Sequence, residues 1–186
     1  MKKEKYLAAI IDSKGVQRTL KRLASEILEE SDGADNLVFI GLHTRGFPLA
    51  KRIIDCVKEE EHVDVPLGSL DVTLYRDDFG RRAESLQMQV TDVPVDIDGK
   101  TVILVDDVLY TGRTIRAALD ALIDMGRPAK IRLVVMIDRG HRELPIKADF
   151  IGKYLPTSLG EEVSVKLKNI DGEDGVFLVT ATEEGE

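Results

Sequence analysis

Val102-Ile103-Leu104-Val105-Asp106-Asp107-Val108-Leu109-Tyr110-Thr111-Gly112-Arg113-Thr114 is the stretch on which the reading of this chain turns. Its opening, Thr101–Val105, has the composition of a strand buried on both faces. Two adjacent acids follow, then a Thr-Gly-Arg-Thr turn. The spacing of Thr114–Met125 then predicts a helix, closed by Gly126 and Pro128. A helix N-terminus offers unpaired N–H groups and a positive dipole end, which suits a phosphate. Gly112 lets the backbone approach such an anion, Thr111 and Thr114 add hydroxyl donors, and Arg113 adds charge. Asp106 and Asp107 would repel a phosphate. They make sense as acceptors for sugar hydroxyls, or as holders of Mg²⁺ directly or through water. Phosphate at one point and a diol at the next describe a ribose 5-phosphate. On these residues alone a bland alternative stays open, in which two acids end a strand and Thr114 caps a helix. Neither G-x-x-x-x-G-K-[ST] nor G-x-G-x-x-G occurs, so this is not a nucleoside-triphosphate P-loop or a dinucleotide turn.

Outward from this stretch, strands and helices alternate. Asp12 and Ser13 are N-cap types opening a segment with Val16, Leu20, Leu23 and Ile27 at helical spacing, and Gly33 marks the break after it. Leu37–Gly41 reads as a buried strand. Pro48 suits the first turn of a helix whose inward face is Ala50, Ile53, Ile54 and Val57. Val63–Tyr75 reads as strand, as do Lys130–Ile137 and the shorter Phe150–Lys153, Val163–Leu167 and Val176–Thr180. The polar segment Asp77–Asp98 has little periodicity, which suits a functional flap or a β-hairpin arm. The pattern argues for an α/β fold with a doubly wound parallel sheet, whose ligands bind beyond the carboxyl ends of the strands. With no repeat, low-complexity tract or linker, residues 1–186 read as a single domain.

Of the 186 residues 43% are hydrophobic and 32% charged, which excludes a disordered chain. The longest apolar runs fall far short of the roughly 20 residues of a membrane helix. The basic start Met1–Lys5 is followed by an apolar run, Tyr6–Ile11, shorter than the roughly 7–15 residues of a secretory core, so an unprocessed chain is expected. The single Cys56 has no partner for a disulfide, and a cytoplasmic home is expected. With 26 basic against 34 acidic residues, a net −8, the chain is not a general nucleic-acid coat. A nucleic-acid site would have to be a local basic patch.

Val102–Thr114 resembles the signature of the type I phosphoribosyltransferases, which bind 5-phosphoribosyl-1-pyrophosphate (PRPP). Together with Thr73-Leu74-Tyr75-Arg76-Asp77-Asp78, Gly126-Arg127-Pro128 and Asp138–Ile146, it is similar to one branch of that family. In that branch a uracil phosphoribosyltransferase doubles as the attenuator of the pyrimidine (pyr) operon. The resemblance implies the family fold with a small hood and a flexible β-hairpin flap. It implies that Asp106 and Asp107 bind the ribose hydroxyls with Mg²⁺ nearby. Thr111, Gly112, Arg113 and Thr114 would hold the 5-phosphate, with Val108, Leu109 and Tyr110 shaping the approach. His43-Thr44-Arg45-Gly46 would be the pyrophosphate loop, in which the family often has a cis peptide and in which Thr44 and Arg45 touch the leaving group. Arg139 and the backbone at Val163 would contact the nucleotide, and Tyr75, Arg76 and Asp77 would begin the flap. Asp106, Asp107 and Arg45 would carry the catalysis.

The same resemblance implies substrates uracil and PRPP, the ligands UMP and UTP, the pyr operon leader mRNA as a partner, and a homodimer or larger homo-oligomer. RNA contact is expected from the first helix, where Lys14, Arg18, Lys21 and Arg22 share one polar quadrant, and Arg142, Lys147 and Lys153 extend the basic surface. An ordinary solvated helix face is the plain alternative. The PRPP signature does not choose the base, so a purine phosphoribosyltransferase without an RNA role stays open. Asp138–Pro145 favours the pyrimidine branch.

Overall fold

The computed structural model describes residues 4–75 and 90–181. The first half of the chain forms β1 (Glu4–Ile11), α1 (Ser13–Ser31), β2 (Leu37–Leu42), α2 (Gly46–Glu61) and β3 (Leu67–Leu70). The second forms β4 (Thr101–Leu109), α3 (Arg113–Met125), β5 (Lys130–Asp138), β6 (Phe150–Tyr154), β7 (Glu161–Lys166), the short α4 (Lys168–Asp171) and β8 (Gly175–Ala181).

Successive side chains of a strand point to opposite faces, and β4 uses both. Ile103 and Val105 pack into one cluster with Phe39, with Leu20 and Leu23 of α1, and with Leu49 and Ile53 of α2. Val102 and Leu104 pack into another with Val38, Val135, and Ala117, Ala118 and Leu122 of α3. Ile103 and Leu104 are both fully buried, worth about 1.5–3 kcal/mol each. Apolar residues on consecutive positions therefore demand a helical layer on each face. The five strands run parallel in the order β3-β2-β4-β5-β6. From β2 the chain moves through α2 to β3 on one side, and from β4 through α3 to β5 on the other. The direction of travel reverses between the neighbours β2 and β4, and the crevice at their carboxyl ends is the topological switch point.

Asp12 caps α1, accepting the Gly15 N–H at 2.7 Å, and Val16, Leu20, Leu23 and Ile27 form its buried face. A second, antiparallel sheet in the order β1-β8-β7 stands beside the first. Its Ile11, Val165 and Val176 join the core on the α1 and α2 side, making the hood.

Two expectations need correction. Val63–Tyr75 is strand only over Leu67–Leu70. After that the Asp71 carboxylate takes both the N–H and the hydroxyl of Thr73, closing a local turn that leads into a 3₁₀ turn at Thr73–Tyr75. Thr101–Val105 is too short: β4 continues through both acids to Leu109, with Asp106 opposite Val135 and Leu109 opposite Asp138 on β5. Of the segment expected as a flap or hairpin arm, Arg76, Asp77 and the residues to 89 lie outside the described part. Asp92 forms a two-hydrogen-bond bridge with Ser69 of β3. Among the described residues no helix is long and apolar enough to cross a membrane.

Candidate active site

At the end of β4 the chain turns through Tyr110-Thr111-Gly112 into α3. Gly112 holds φ +93°, a left-handed conformation, and gives α3 no side-chain cap. The first-turn N–H groups of the helix therefore face the crevice without intrahelical acceptors. The Thr111 carbonyl accepts the N–H groups of Glu143 and Leu144, at 3.0 and 3.2 Å, and Arg113 Nε donates to Glu143 Oε2 at 2.7 Å. Asp106, Thr111, Gly112, Arg113, Thr114 and Glu143 line a cavity of about 380 Å³. A larger depression of about 580 Å³ lies at the amino ends of β5 and β6, lined by Glu26, Glu29, Glu30, Arg132 and Asp149. Four carboxylates make it unsuited to a phosphate, and the smaller cavity is the candidate site.

Asp106 is buried and accepts the Asp107 N–H at 2.9 Å, while Asp107 accepts the Val108 N–H at 2.9 Å. Burial pushes the Asp107 carboxyl above its ordinary range, and the Arg45 guanidinium acts against that rise. Asp107 is thus a half-buried carboxylate within a strand. Among the described residues no three His, Cys, Asp or Glu side chains gather to form a metal cage. Two acids at a phosphate site do fit Mg²⁺ that takes its remaining ligands from water and substrate oxygens.

The loop after β2 approaches from the other side of the switch point. The His43–Thr44 peptide is cis, as the resemblance implies, and Thr44 is exposed. Gly46 lies so close to β4 that a Cβ there would sit 2.2 Å from the Val105 carbonyl oxygen. This contact sets Arg45 beside the acids. Arg45 Nη2 donates to Asp171 of α4 at 2.9 Å, and its Nε is buried with no partner among the described residues. His43 Nε2 lies 3.3 Å from the Val90 carbonyl, and its ring stacks on Phe47.

Arg139, just past β5, lays its guanidinium 4.1 Å from the centre of the Tyr110 ring. It also donates to the Thr157 hydroxyl at 3.2 Å and to the Glu161 carbonyl at 2.5 Å. Val163 lies two residues further along β7, half-buried. Arg139 thus ties Tyr110, at the cavity, to the start of β7. Tyr75 is exposed at the end of the 3₁₀ turn.

The basic residues expected to bind RNA do not form one surface. Arg142 is an internal brace: it donates to the carbonyls of Leu109, Tyr110, Gly140 and Ile146 and pairs with buried Asp138. Its guanidinium holds the 138–146 loop. Lys147 is exposed, but its neighbours Ile146 and Ala148 pack on the α3 side of the sheet. Lys21 and Arg22 ride on α1, on the other side. Lys21 pairs with Glu59 at 3.4 Å, both well exposed. Arg22 pairs with Glu26 and donates to the carbonyls of Ile151 and Gly152, pinning α1 to β6. Lys14 and Arg18 are exposed on the same face of α1. Cys56 has its thiol pKa raised by burial and is correspondingly unreactive. Asp138, Glu143 and Asp171 were not anticipated. Asp138 and Glu143 lie in the 138–146 segment that carries the resemblance, and Asp171 left no sequence signal.

The family model described as "Phosphoribosyl transferase domain" matches residues 8–162. The chain belongs to the phosphoribosyl transferase family. Within the family it is 55% identical over 174 residues to "Bifunctional protein PyrR" of Roseiflexus sp. (strain RS-1), covering 93% of this chain and 95% of that one. It is 58% identical over 171 residues to "Bifunctional protein PyrR 1" of Lactiplantibacillus plantarum, covering 91% and 95%. The phosphoribosyl transferase fold is shared more widely. A hypoxanthine phosphoribosyltransferase from Trypanosoma cruzi, solved with the product IMP, aligns over 97% of this chain and 94% of its own with a TM-score of 0.72 at 18% identity. A hypoxanthine-guanine phosphoribosyltransferase from Bacillus anthracis aligns over 96% and 100% with a TM-score of 0.71 at 19% identity.

Proposed function

We propose that the protein converts uracil and PRPP to UMP and diphosphate, and that it also binds pyr operon leader mRNA in a uridine-nucleotide-dependent way to attenuate transcription. One observation carries the enzymatic half: at the switch point between β2 and β4, a pair of acids near the end of β4 stands a short turn before a helix N-terminus whose cap residue, Gly112, has no side chain. That sequence of groups suits the diol and the 5-phosphate of a ribose. Residues 1–186 act as one phosphoribosyltransferase domain, since β8 completes the hood sheet that β1 opens.

In this reading Thr111, Gly112, Arg113 and Thr114 grip the 5-phosphate through hydroxyl, backbone N–H and guanidinium donors. Asp106 and Asp107 accept from the ribose hydroxyls, and being within a paired strand they hold the ring at a fixed height. Arg45 and Thr44 face the pyrophosphate, and Arg45 stabilises the negative charge that gathers there as its bond to ribose C1 breaks. Tyr110, Arg139 and the Val163 backbone position uracil so that N1 meets C1 as the pyrophosphate leaves, and this orientation supplies much of the rate. Mg²⁺, held by Asp106 and Asp107 together with PRPP, supplies further charge neutralisation on the leaving group.

The regulatory half is supported by relatives named bifunctional at 53–58% identity over more than nine-tenths of the chain. The same identities weigh against the purine alternative, because the purine enzymes share the fold at only 17–19%. For RNA, the α1 stripe of Lys14, Arg18 and Lys21, with Lys153 beyond the Arg22 brace, is the surface that remains. The enzymatic test is PRPP consumption with uracil, hypoxanthine or guanine. Uracil is expected to be the base used, and turnover with a purine but not uracil refutes the assignment. Filter binding of pyr leader RNA against a scrambled sequence, with and without UMP, tests the regulator. Equal binding of the two RNAs removes that half.

A further inference from the structure

Arg45 is held from outside its own sheet. The carboxylate that meets it, Asp171, belongs to α4, the short link between β7 and β8 of the hood. Asp171 is itself fixed at two points, for its Oδ2 accepts the Leu167 N–H at 2.9 Å while its Oδ1 takes Arg45 Nη2 at 2.9 Å. Its side chain is 17% exposed and that of Arg45 33%. Nearby, Arg52 of α2 makes a bidentate pair with Asp174 at 2.7 and 3.0 Å, so the same hood segment is fastened to α2 twice. An arginine side chain has several rotatable bonds, and ordering it on binding an anion weakens affinity. Here one end of the guanidinium is already fixed, while Nε is buried without an acceptor among the described residues.

We propose that Asp171 is a positioning residue for the leaving group: it preorders the Arg45 guanidinium so that its remaining accessible N–H donors face the pyrophosphate. This rests on the reading of Arg45 as the pyrophosphate contact, and it assigns a hood residue a part in PRPP selectivity. Asp171 touches no substrate. Its effect passes through Arg45 alone, so it bears on ligands that carry pyrophosphate and not on UMP, which has only the 5-phosphate.

The test uses the full chain with PRPP, uracil, magnesium pyrophosphate as an inhibitor, and UMP in a thermal-shift titration. Asp171→Ala is expected to raise the PRPP KM and the pyrophosphate inhibition constant about tenfold, the loss from ordering one long side chain on binding. The UMP affinity stays near wild type. Asp171→Asn has a single amide oxygen for two donors, Arg45 Nη2 and the Leu167 N–H, and is expected to recover pyrophosphate affinity only in part. In a double-mutant cycle, adding Asp171→Ala to Arg45→Ala is expected to cause no further loss. If Asp171→Ala does not fold, Asp171→Ser carries the same test, because a hydroxyl still serves Leu167 but is too short to hold Arg45. The proposal is overturned by an unchanged pyrophosphate constant, by an equal loss of UMP affinity, or by additive losses in the cycle. A wild-type protein that is not inhibited by pyrophosphate and does not use PRPP overturns the proposed function first, and this inference with it.

Discussion

Replacing Gly46 by alanine should damage the site from a position that touches no substrate. The added Cβ would lie 2.2 Å from the Val105 carbonyl oxygen, 3.1 Å from its carbon and 3.2 Å from Asp106 Cα. All three are backbone atoms of a strand paired on both sides, with Val105 opposite both Gly41 and Val134. The strand cannot give way, so the start of α2 must retreat by on the order of 1 Å, at the roughly 1–3 kcal/mol typical of overpacking. In a domain of this size that lowers Tm by about 2–12 °C. The retreat carries Arg45, the adjacent residue, away from Asp107. A displacement of about 1 Å costs about 100-fold in rate when positioning does the catalysis. Kinetics with uracil and PRPP alongside thermal denaturation would measure both effects. A Gly46→Ala protein with wild-type Tm and wild-type kcat/KM would show that the close packing of α2 on β4 does not set the site.

Asp107→Asn should abolish PRPP use yet leave Tm at pH 7 no lower than wild type, because burial already disfavours the charge it removes. A large Tm loss by calorimetry would contradict this. Asp174 has its pKa lowered: burial opposes the shift, but hydrogen bonds from Arg52 and the Lys168 N–H prevail. Its stabilising effect is therefore complete above the ordinary carboxylate pKa and fades as pH falls through the lower folded value. Asp174→Asn should cost about 1.5–3 kcal/mol at pH 7. Urea unfolding at pH 7 and pH 3 should show the gap to wild type narrowing in acid. UMP and UTP should raise Tm more than AMP does, and equal shifts would favour a purine enzyme. Arg18→Ala should flatten the log K against log salt slope for leader RNA by something approaching one unit. Arg22→Ala should chiefly lower Tm, since it unpins α1 from β6, and filter binding with circular dichroism separates the two.

What the sequence made legible was the part written in consecutive residues. The apolar run before Asp106, the glycine turn and the periodic helix after it lie next to one another along the chain, and they sufficed to place the strand–turn–helix unit and the doubly wound sheet. The acids were legible as chemistry but not as geometry: nothing local says that β5 keeps pairing past Val105, so their burial was missed. Arg142 read as a surface cation because its acceptors are carbonyls, to which sequence patterns are blind. The bonds of Arg22 to β6 were hidden for the same reason, since those partners are some 130 positions away. Asp171 had no signal at all. Its meaning comes only from a packing between hood and α2 that no spacing rule anticipates.

The pairing of β1 with β8 has a consequence for the order in which the molecule is made. Ile11 at the end of β1 and Gly175 at the start of β8 are 164 positions apart (175 − 11). At about 5–20 residues per second, a nascent β1 waits roughly 8–33 s for its ladder partner to be synthesised. Through that interval Tyr6–Ile11 is an apolar strand with an unpaired edge, a template for wrong pairing, and the charges of Lys2, Lys3, Glu4 and Lys5 act as gatekeepers before it. The parallel sheet makes no ladder with β8, so the acid pair and the N-terminus of α3 can be in place on the ribosome. The contact of Arg45 with Asp171 is made later, when the hood segment before β8 emerges.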